Sequence, residues 1–147
     1  MKKILAISSP GGHWTQMQRV SKSFSSHKVI YVSTLKGYAK EVLHHKYYQV
    51  VDASAWSKLS LILLFFQLLK IIIKERPDIV ISTGAAPGFF AIVISRCIGS
   101  RTIWLDSIAN YERMSFSGRL VKHFTHLHLT QWEHLKSQRT QFLGKVL

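Results

Sequence analysis

Gly11, Gly12 and His13 follow the apolar run Ile4-Leu5-Ala6-Ile7 by way of Ser8-Ser9-Pro10. A buried strand that ends in a glycine pair and then opens a helix brings backbone N–H groups close to an anion. Glycine has no Cβ to hold a ligand off, and the first amides of a helix have no partner of their own. His13 sets an imidazole, a proton acceptor near neutral pH, beside that cradle. The pairing points to chemistry on a phosphorylated substrate. A dinucleotide site would need G-x-G-x-x-G and an acid closing the second strand, but that strand ends in Val32-Ser33-Thr34, and a Walker loop is missing as well.

A second loop of small residues, Ser82-Thr83-Gly84-Ala85-Ala86-Pro87-Gly88, offers a helix cap in Ser82 or Thr83 and a proline suited to a first turn. In an open sheet both loops would reach the same rim. Gly11, Gly12, Thr83, Gly84 and Gly88 are therefore the expected phosphate-binding positions, with an ordinary tight turn as the competing account of the second loop. Asp106, in Trp104-Leu105-Asp106-Ser107-Ile108-Ala109-Asn110, ends a further strand. A carboxylate there either takes a proton from a sugar hydroxyl or caps the 107–110 loop; Ser107 and Asn110 join the ligand candidates. His13 and Asp106 are the candidate bases. No metal site is expected, because His44-His45 are adjacent and His126 and His128 alternate along a strand with no cysteine or carboxylate at ligand spacing. The single cysteine, Cys97, excludes an internal disulfide, and its neighbours Ile94 and Ile98 predict a buried helical thiol.

The elements that must hold these residues alternate along the chain. Strand-like runs at 3–8, 28–33, 47–51, 78–82, 101–105 and 127–130 are separated by helical patterns at 14–25, 36–44, 59–74, 88–98, 116–124 and 131–142. Continuous apolar strands between helices predict one α/β domain over 1–147: a Rossmann-like, doubly wound, mainly parallel sheet of six strands. The run LSLILLFFQLLKIII at 59–73 stands apart, because its polar positions, Ser60, Gln67 and Lys70 with Lys74 beyond, form one narrow stripe. A bilayer span needs about 20 apolar residues, so this segment is too short to cross. Either it is buried between sheet and partner chain, or it lies in a membrane interface, with Phe65 and Phe66 in the apolar layer and Lys58, Lys70 and Lys74 meeting anionic headgroups. The 20 Lys and Arg against 7 Asp and Glu, a formal charge of +13, favour an anionic partner. Nucleic acid is not expected: only the charge suggests it, and no helix-turn-helix, RNP or zinc-finger pattern is present. Lys2-Lys3 precede a short strand-like run and not a signal peptide.

Taken in order, Ser9-Pro10-Gly11-Gly12-His13, Ser82-Thr83-Gly84-Ala85-Ala86-Pro87, Asp106-Ser107-Ile108-Ala109-Asn110, Ser115-Phe116-Ser117-Gly118-Arg119 and Thr130-Gln131-Trp132-Glu133 span nearly the whole chain. In them the chain resembles the acceptor-side subunit of two-chain glycosyltransferases: the bacterial PssD-type exopolysaccharide subunit and the membrane-recruiting subunit of the eukaryotic dolichol-pathway N-acetylglucosaminyltransferase. The resemblance implies the N-terminal half of a GT-B enzyme such as MurG. It implies a separate PssE-like, donor-binding glycosyltransferase subunit that holds the UDP-sugar, so that no cofactor is expected on this chain. It further implies a polyprenyl-diphosphate-linked saccharide as acceptor, with His13 facing it and Asp106 where relatives carry an acid, often glutamate. Attachment would be peripheral, at the cytoplasmic face of the membrane, in capsule or exopolysaccharide assembly. The alternatives are a non-catalytic scaffold that recruits the donor subunit and, more remotely, a basic nucleic-acid-binding module.

Overall fold

The computed structural model describes residues 1–53 and 57–146. Strands β1 (Lys3–Ile7), β2 (Lys28–Ser33), β3 (Lys46–Gln49), β4 (Ile79–Ser82), β5 (Arg101–Leu105), β6 (Leu127–Thr130) and β7 (Gln141–Phe142) form one sheet in the order β3-β2-β1-β4-β5-β6-β7. Every pairing is parallel. Helices α1 (Gly12–Ser21), α2 (Lys58–Glu75), α3 (Ala85–Cys97) and α4 (Phe116–Val121) supply the crossovers. The doubly wound fold expected from the alternation is present, with seven strands where six were expected.

Side chains alternate across a strand, so each strand feeds two cores. Ile4, Ala6, Val29, Tyr31 and Ile81 pack with Trp14 and Met17 of α1 on one face. Leu5, Ile7, Val32, Val80 and Trp104 pack on the other with Leu64, Leu68 and Ile72 of α2, Ala91 and Ile92 of α3, and Val121 of α4. A strand covered on both sides reads as an unbroken apolar run, which is why the alternation was legible.

Two helix expectations fail. Residues 131–142 form a single 3₁₀ turn, Glu133–Leu135, followed by β7. The Gln131 side chain is fully buried and bonds across the fold, and the Ser137 N–H donates to Thr140 O at 2.9 Å to turn the chain back beside β6. Residues 36–44 tighten into a 3₁₀ segment, Lys36–Val42, whose Tyr38 ring stacks flat on Trp14 at 4.3 Å. In both places tertiary contacts override a weak helical pattern.

Helix α2 starts where the Ser57 hydroxyl accepts from the Ser60 N–H and stops at Arg76, which takes a left-handed conformation (φ 45°) just before Pro77. The sheet reverses its direction of winding between β1 and β4. At such a switch point the two neighbouring strand ends leave a crevice at the carboxyl edge, where open α/β sheets place their ligands.

Gly88, an expected phosphate ligand, is a packing residue. It is buried, and a Cβ there would overlap Ser82 Oγ and lie 3.2 Å from the Trp104 ring. Gly88→Ala is expected to lower stability by about 1–3 kcal/mol in chemical denaturation. Gly12→Ala, with nothing within 4 Å of the new methyl, is expected to leave it nearly unchanged.

Candidate functional site

The crevice between β1 and β4 is where His13 sits. Its Nδ1 lies 2.7 Å from Thr83 O, and the Thr83 hydroxyl donates back to His13 O at 2.7 Å. A carbonyl only accepts, so Nδ1 carries a proton, and in the neutral ring the lone pair falls on Nε2. Nε2 has no hydrogen-bond partner among the described residues, and the ring is half-buried. Gly84 makes this placement possible. Its φ is 142°, and a Cβ on it would overlap the imidazole, 2.5 Å from Nδ1. Thr83 and Gly84 are buried behind the ring, so the second loop holds the imidazole and does not face a ligand itself. Ala85 follows at φ 65°, a positive φ that costs an alanine roughly 1–2 kcal/mol.

In the first loop Gly11 (φ 78°) and Gly12 are both exposed. The Gly11 amide is spent on the Tyr38 hydroxyl at 3.0 Å, which removes it from the expected ligands. The amides of Gly12, His13 and Trp14 open α1 and have no acceptor among the described residues; the Thr15 amide is the first to bond back, to Gly11 O at 3.0 Å. The hydroxyl of Ser8 is fully buried with no partner. That hydroxyl is enclosed in the core, so what the first loop offers an anion is its free helix amides and the positive end of the α1 dipole.

Asp106 is not available as a base. It is 1% exposed. Its Oδ1 accepts from Trp104 Nε1 (3.0 Å) and Ser115 Oγ (2.5 Å), and its Oδ2 from Asn110 Nδ2 (3.0 Å) and the Ser115 N–H (3.0 Å). Ser115 in turn caps α4 by accepting from the Gly118 N–H at 2.9 Å. Gly118 leaves the room, since a Cβ there would lie 2.5 Å from Asp106 Oδ1. Ser107 accepts from Gln16 Nε2 (3.3 Å) and from the Ala109 N–H (3.2 Å). Asp106, Ser107 and Asn110, expected as base and phosphate ligands, are thus internal clamps of the loop after β5. Gln131 extends the clamp by donating to Gln16 Oε1 (2.6 Å) and Asp106 O (3.0 Å), which ties β6 to α1. The composition of this loop held no signal for Gln16 and Gln131, which lie 115 positions apart. His128, 3% exposed, bridges Gly118 O and Thr140 Oγ1, and burial pushes its imidazole below the ordinary histidine value against the smaller opposing effects of the Gly118 bond and Asp106.

The α2 expectation is refined. Gln67 does not face outward: its Oε1 accepts from the Val51 N–H at 2.8 Å. The outward face carries Leu59, Ile62, Leu63 and Phe66, each half or more exposed, with Lys58, Lys70 and Lys74 exposed around it. Phe65 turns to the side against Phe90, with ring centroids 5.9 Å apart. Half-exposed Phe89 and Phe90 on α3, and exposed Phe116 and Leu120 on α4, continue the apolar face. Sequence reading missed these four because each belongs to a short helix that looks ordinary alone. Cys97, expected to be buried, is exposed at the end of α3. Among the described residues no helix is long and apolar enough to cross a membrane, and no three His, Cys, Asp or Glu side chains converge as a metal site.

Comparison with known proteins gives a family and a fold. The family model "Oligosaccharide biosynthesis protein Alg14 like" matches residues 23–146. Comparison with curated protein sequences gives no significant match. Among solved structures, MurG of Acinetobacter baumannii superposes with a TM-score of 0.78 at 12% identity, over 97% of this chain and 45% of that one. UDP-N-acetylglucosamine 2-epimerase from Rickettsia bellii gives 0.73 at 18% identity, over 99% and 45%. A glycosyltransferase from Rickettsia africae gives 0.70 at 12%, over 98% and 43%. The chain spans less than half of each, and at these identities the likeness is one of fold.

Asp106→Asn would set an amide NH₂ against at least one buried donor, and is expected to cost about 2–3 kcal/mol in chemical denaturation. His128 makes a separate prediction. Its folded pKa is lowered, so the unfolded chain binds more protons once the pH drops below about 6.5. Stability is expected to decline with acidification below that point, and His126, also lowered by burial and by Arg96 and Arg101, acts in the same direction. His128→Asn should be less stable at pH 7, with a shallower decline between about pH 6.5 and 5 in denaturation midpoints followed across pH.

Proposed function

The chain belongs to the Alg14-like family of oligosaccharide biosynthesis proteins, and from that premise we propose that it is the acceptor-binding, membrane-associated subunit of a two-chain inverting glycosyltransferase. The sugar comes from a UDP-sugar held by a separate donor-binding subunit. It passes to a polyprenyl-diphosphate-linked saccharide in capsule or exopolysaccharide assembly at the cytoplasmic face of the membrane. The observation that carries this reading is the His13–Thr83 pair, which leaves Nε2 without a partner among the described residues, on a rim with three unspent amides. The described residues form a single sheet with one switch-point crevice, between β1 and β4, which is room for the acceptor; in this reading the nucleotide is held by the donor-binding subunit.

The mechanism follows from those groups. The acceptor diphosphate lies against the amides of Gly12, His13 and Trp14, where the α1 dipole offsets its charge. Nε2 of His13 takes the proton of the acceptor hydroxyl as that oxygen attacks the anomeric carbon from the face opposite UDP. The bond from the anomeric carbon to the UDP oxygen breaks, its electron pair leaves with the diphosphate, and configuration inverts. The imidazolium that forms keeps its Nδ1–H bond to Thr83 O, which stabilises the charge. Asp106 keeps α4 and the loop after β5 in place and takes no proton. The apolar face of α2, α3 and α4 enters the membrane interface with its lysines at the margin, which brings the rim to a lipid-borne acceptor.

A second reading keeps the same family and fold but makes the chain a non-catalytic scaffold that recruits the donor subunit. Transfer assays on the reconstituted two-chain enzyme separate the two. His13→Ala is expected to lower kcat by about 10²–10⁴-fold with complex formation and acceptor binding retained. Unchanged kcat in His13→Ala would leave the chain a scaffold.

A further inference from the structure

On the flank of α2 away from α3, a groove of about 280 Å³ runs between the helix and edge strand β3, lined by Tyr48, Gln49, Gln67, Lys70, Ile71 and Lys74. We propose that this groove is a headgroup site for an anionic phospholipid, one that fixes how the chain sits on the membrane; the inference rests on the membrane-facing reading of α2 given above. Three observations carry it. First, the groove supplies donors. Lys70 and Lys74, one helical turn apart, have no carboxylate partner among the described residues. Gln67 has its carbonyl oxygen pinned by the Val51 N–H, and its amide nitrogen has no acceptor among the described residues. Second, the nearby acid is already occupied. Glu75 is buried and takes the Lys46 ammonium and the Tyr48 hydroxyl, so it does not neutralise the groove. The Tyr48 ring lies beneath two ammonium groups, with Lys46 Nζ 5.3 Å and Lys74 Nζ 6.0 Å from its centroid.

Third, the groove opens beside grease. At 100° per residue, Leu59, Leu63, Phe66 and Lys70 fall on one exposed stripe of α2. A ligand with a phosphodiester between the lysines would therefore lay hydrocarbon along Leu63 and Phe66. A free phosphate or a sugar phosphate uses only the first half of that surface. Charge complementarity and the adjoining apolar stripe together select an amphiphile. The site differs from the His13 crevice, being on the α2 face and away from the β1–β4 switch.

The test uses the full chain. Dihexanoyl phosphatidylglycerol, kept below its micelle concentration, is titrated while the Gln67 side-chain amide is followed by NMR. Dihexanoyl phosphatidylcholine and inorganic phosphate serve as comparisons. The expected result is a saturable shift with phosphatidylglycerol and at least about tenfold weaker responses to the other two. The shift should be lost in Lys70→Ala/Lys74→Ala and in Gln67→Glu, which keeps the Val51 bond but puts a carboxylate in the groove. It should persist in Lys22→Ala/Lys28→Ala, which removes equal charge elsewhere. An equal response to inorganic phosphate, or equal loss in the Lys22/Lys28 control, would overturn the proposal. Flotation with neutral and phosphatidylglycerol-containing vesicles separates it from the premise. Wild type that floats with neither composition sinks the membrane reading itself. Wild type that floats equally with both, and is released by Phe66→Asp, keeps the membrane face and sinks only the groove.

Discussion

The bond from His13 to the Thr83 carbonyl organises the carboxyl rim of this sheet. Two strands adjacent in space but separated along the chain by β2, β3 and α2, namely β1 and β4, deliver their loops to one point. The contact fixes the imidazole's tautomer and orientation, and it requires Gly84, since any side chain there would displace the ring. The unspent amides of α1 then stand beside an imidazole whose Nε2 has no partner among the described residues. Ala85, directly after Gly84, holds a positive φ that stores backbone strain at this point.

The other end of the rim is built on the opposite logic. Asp106 saturates both oxygens with four donors. A buried carboxylate is tolerated when its lone pairs are filled, and a filled carboxylate has nothing left for a substrate proton. The cluster reaches α4 through Ser115 and α1 through Gln16 and Gln131, so it sets the rim's shape. His13, in the first turn of α1, and Asp106, directly after β5, thus differ in how many hydrogen-bond partners the fold directs at each.

The helical face shows a further division. On α2 the inward residues Leu64, Leu68, Ile71 and Ile72 fill the core while Leu59, Ile62, Leu63 and Phe66 stay in contact with solvent. A helix that had only to cover a sheet would carry polar groups there. An apolar surface continued onto α3 and α4 and bordered by unpaired lysines is the form expected of an element that meets a lipid interface.

The sequence by itself determined the sheet and its winding, because strands buried on two faces leave unbroken apolar runs and crossover helices leave a regular alternation. It also located the rim, through the glycines that follow β1 and β4. It could not place β7 or dissolve the expected helix at 131–142, because Gln131 bonds to Gln16, 115 positions away, and Thr140 bonds to His128 on β6 and not within a helix. Nor could it tell His13 from Asp106 as base candidates, or show that Gly84 and Gly88 are both buried packing positions. A residue's type states which bonds it can make; which of them are already taken is a property of neighbours brought together only by folding. Tertiary structure left the imidazole one free nitrogen and the carboxylate none.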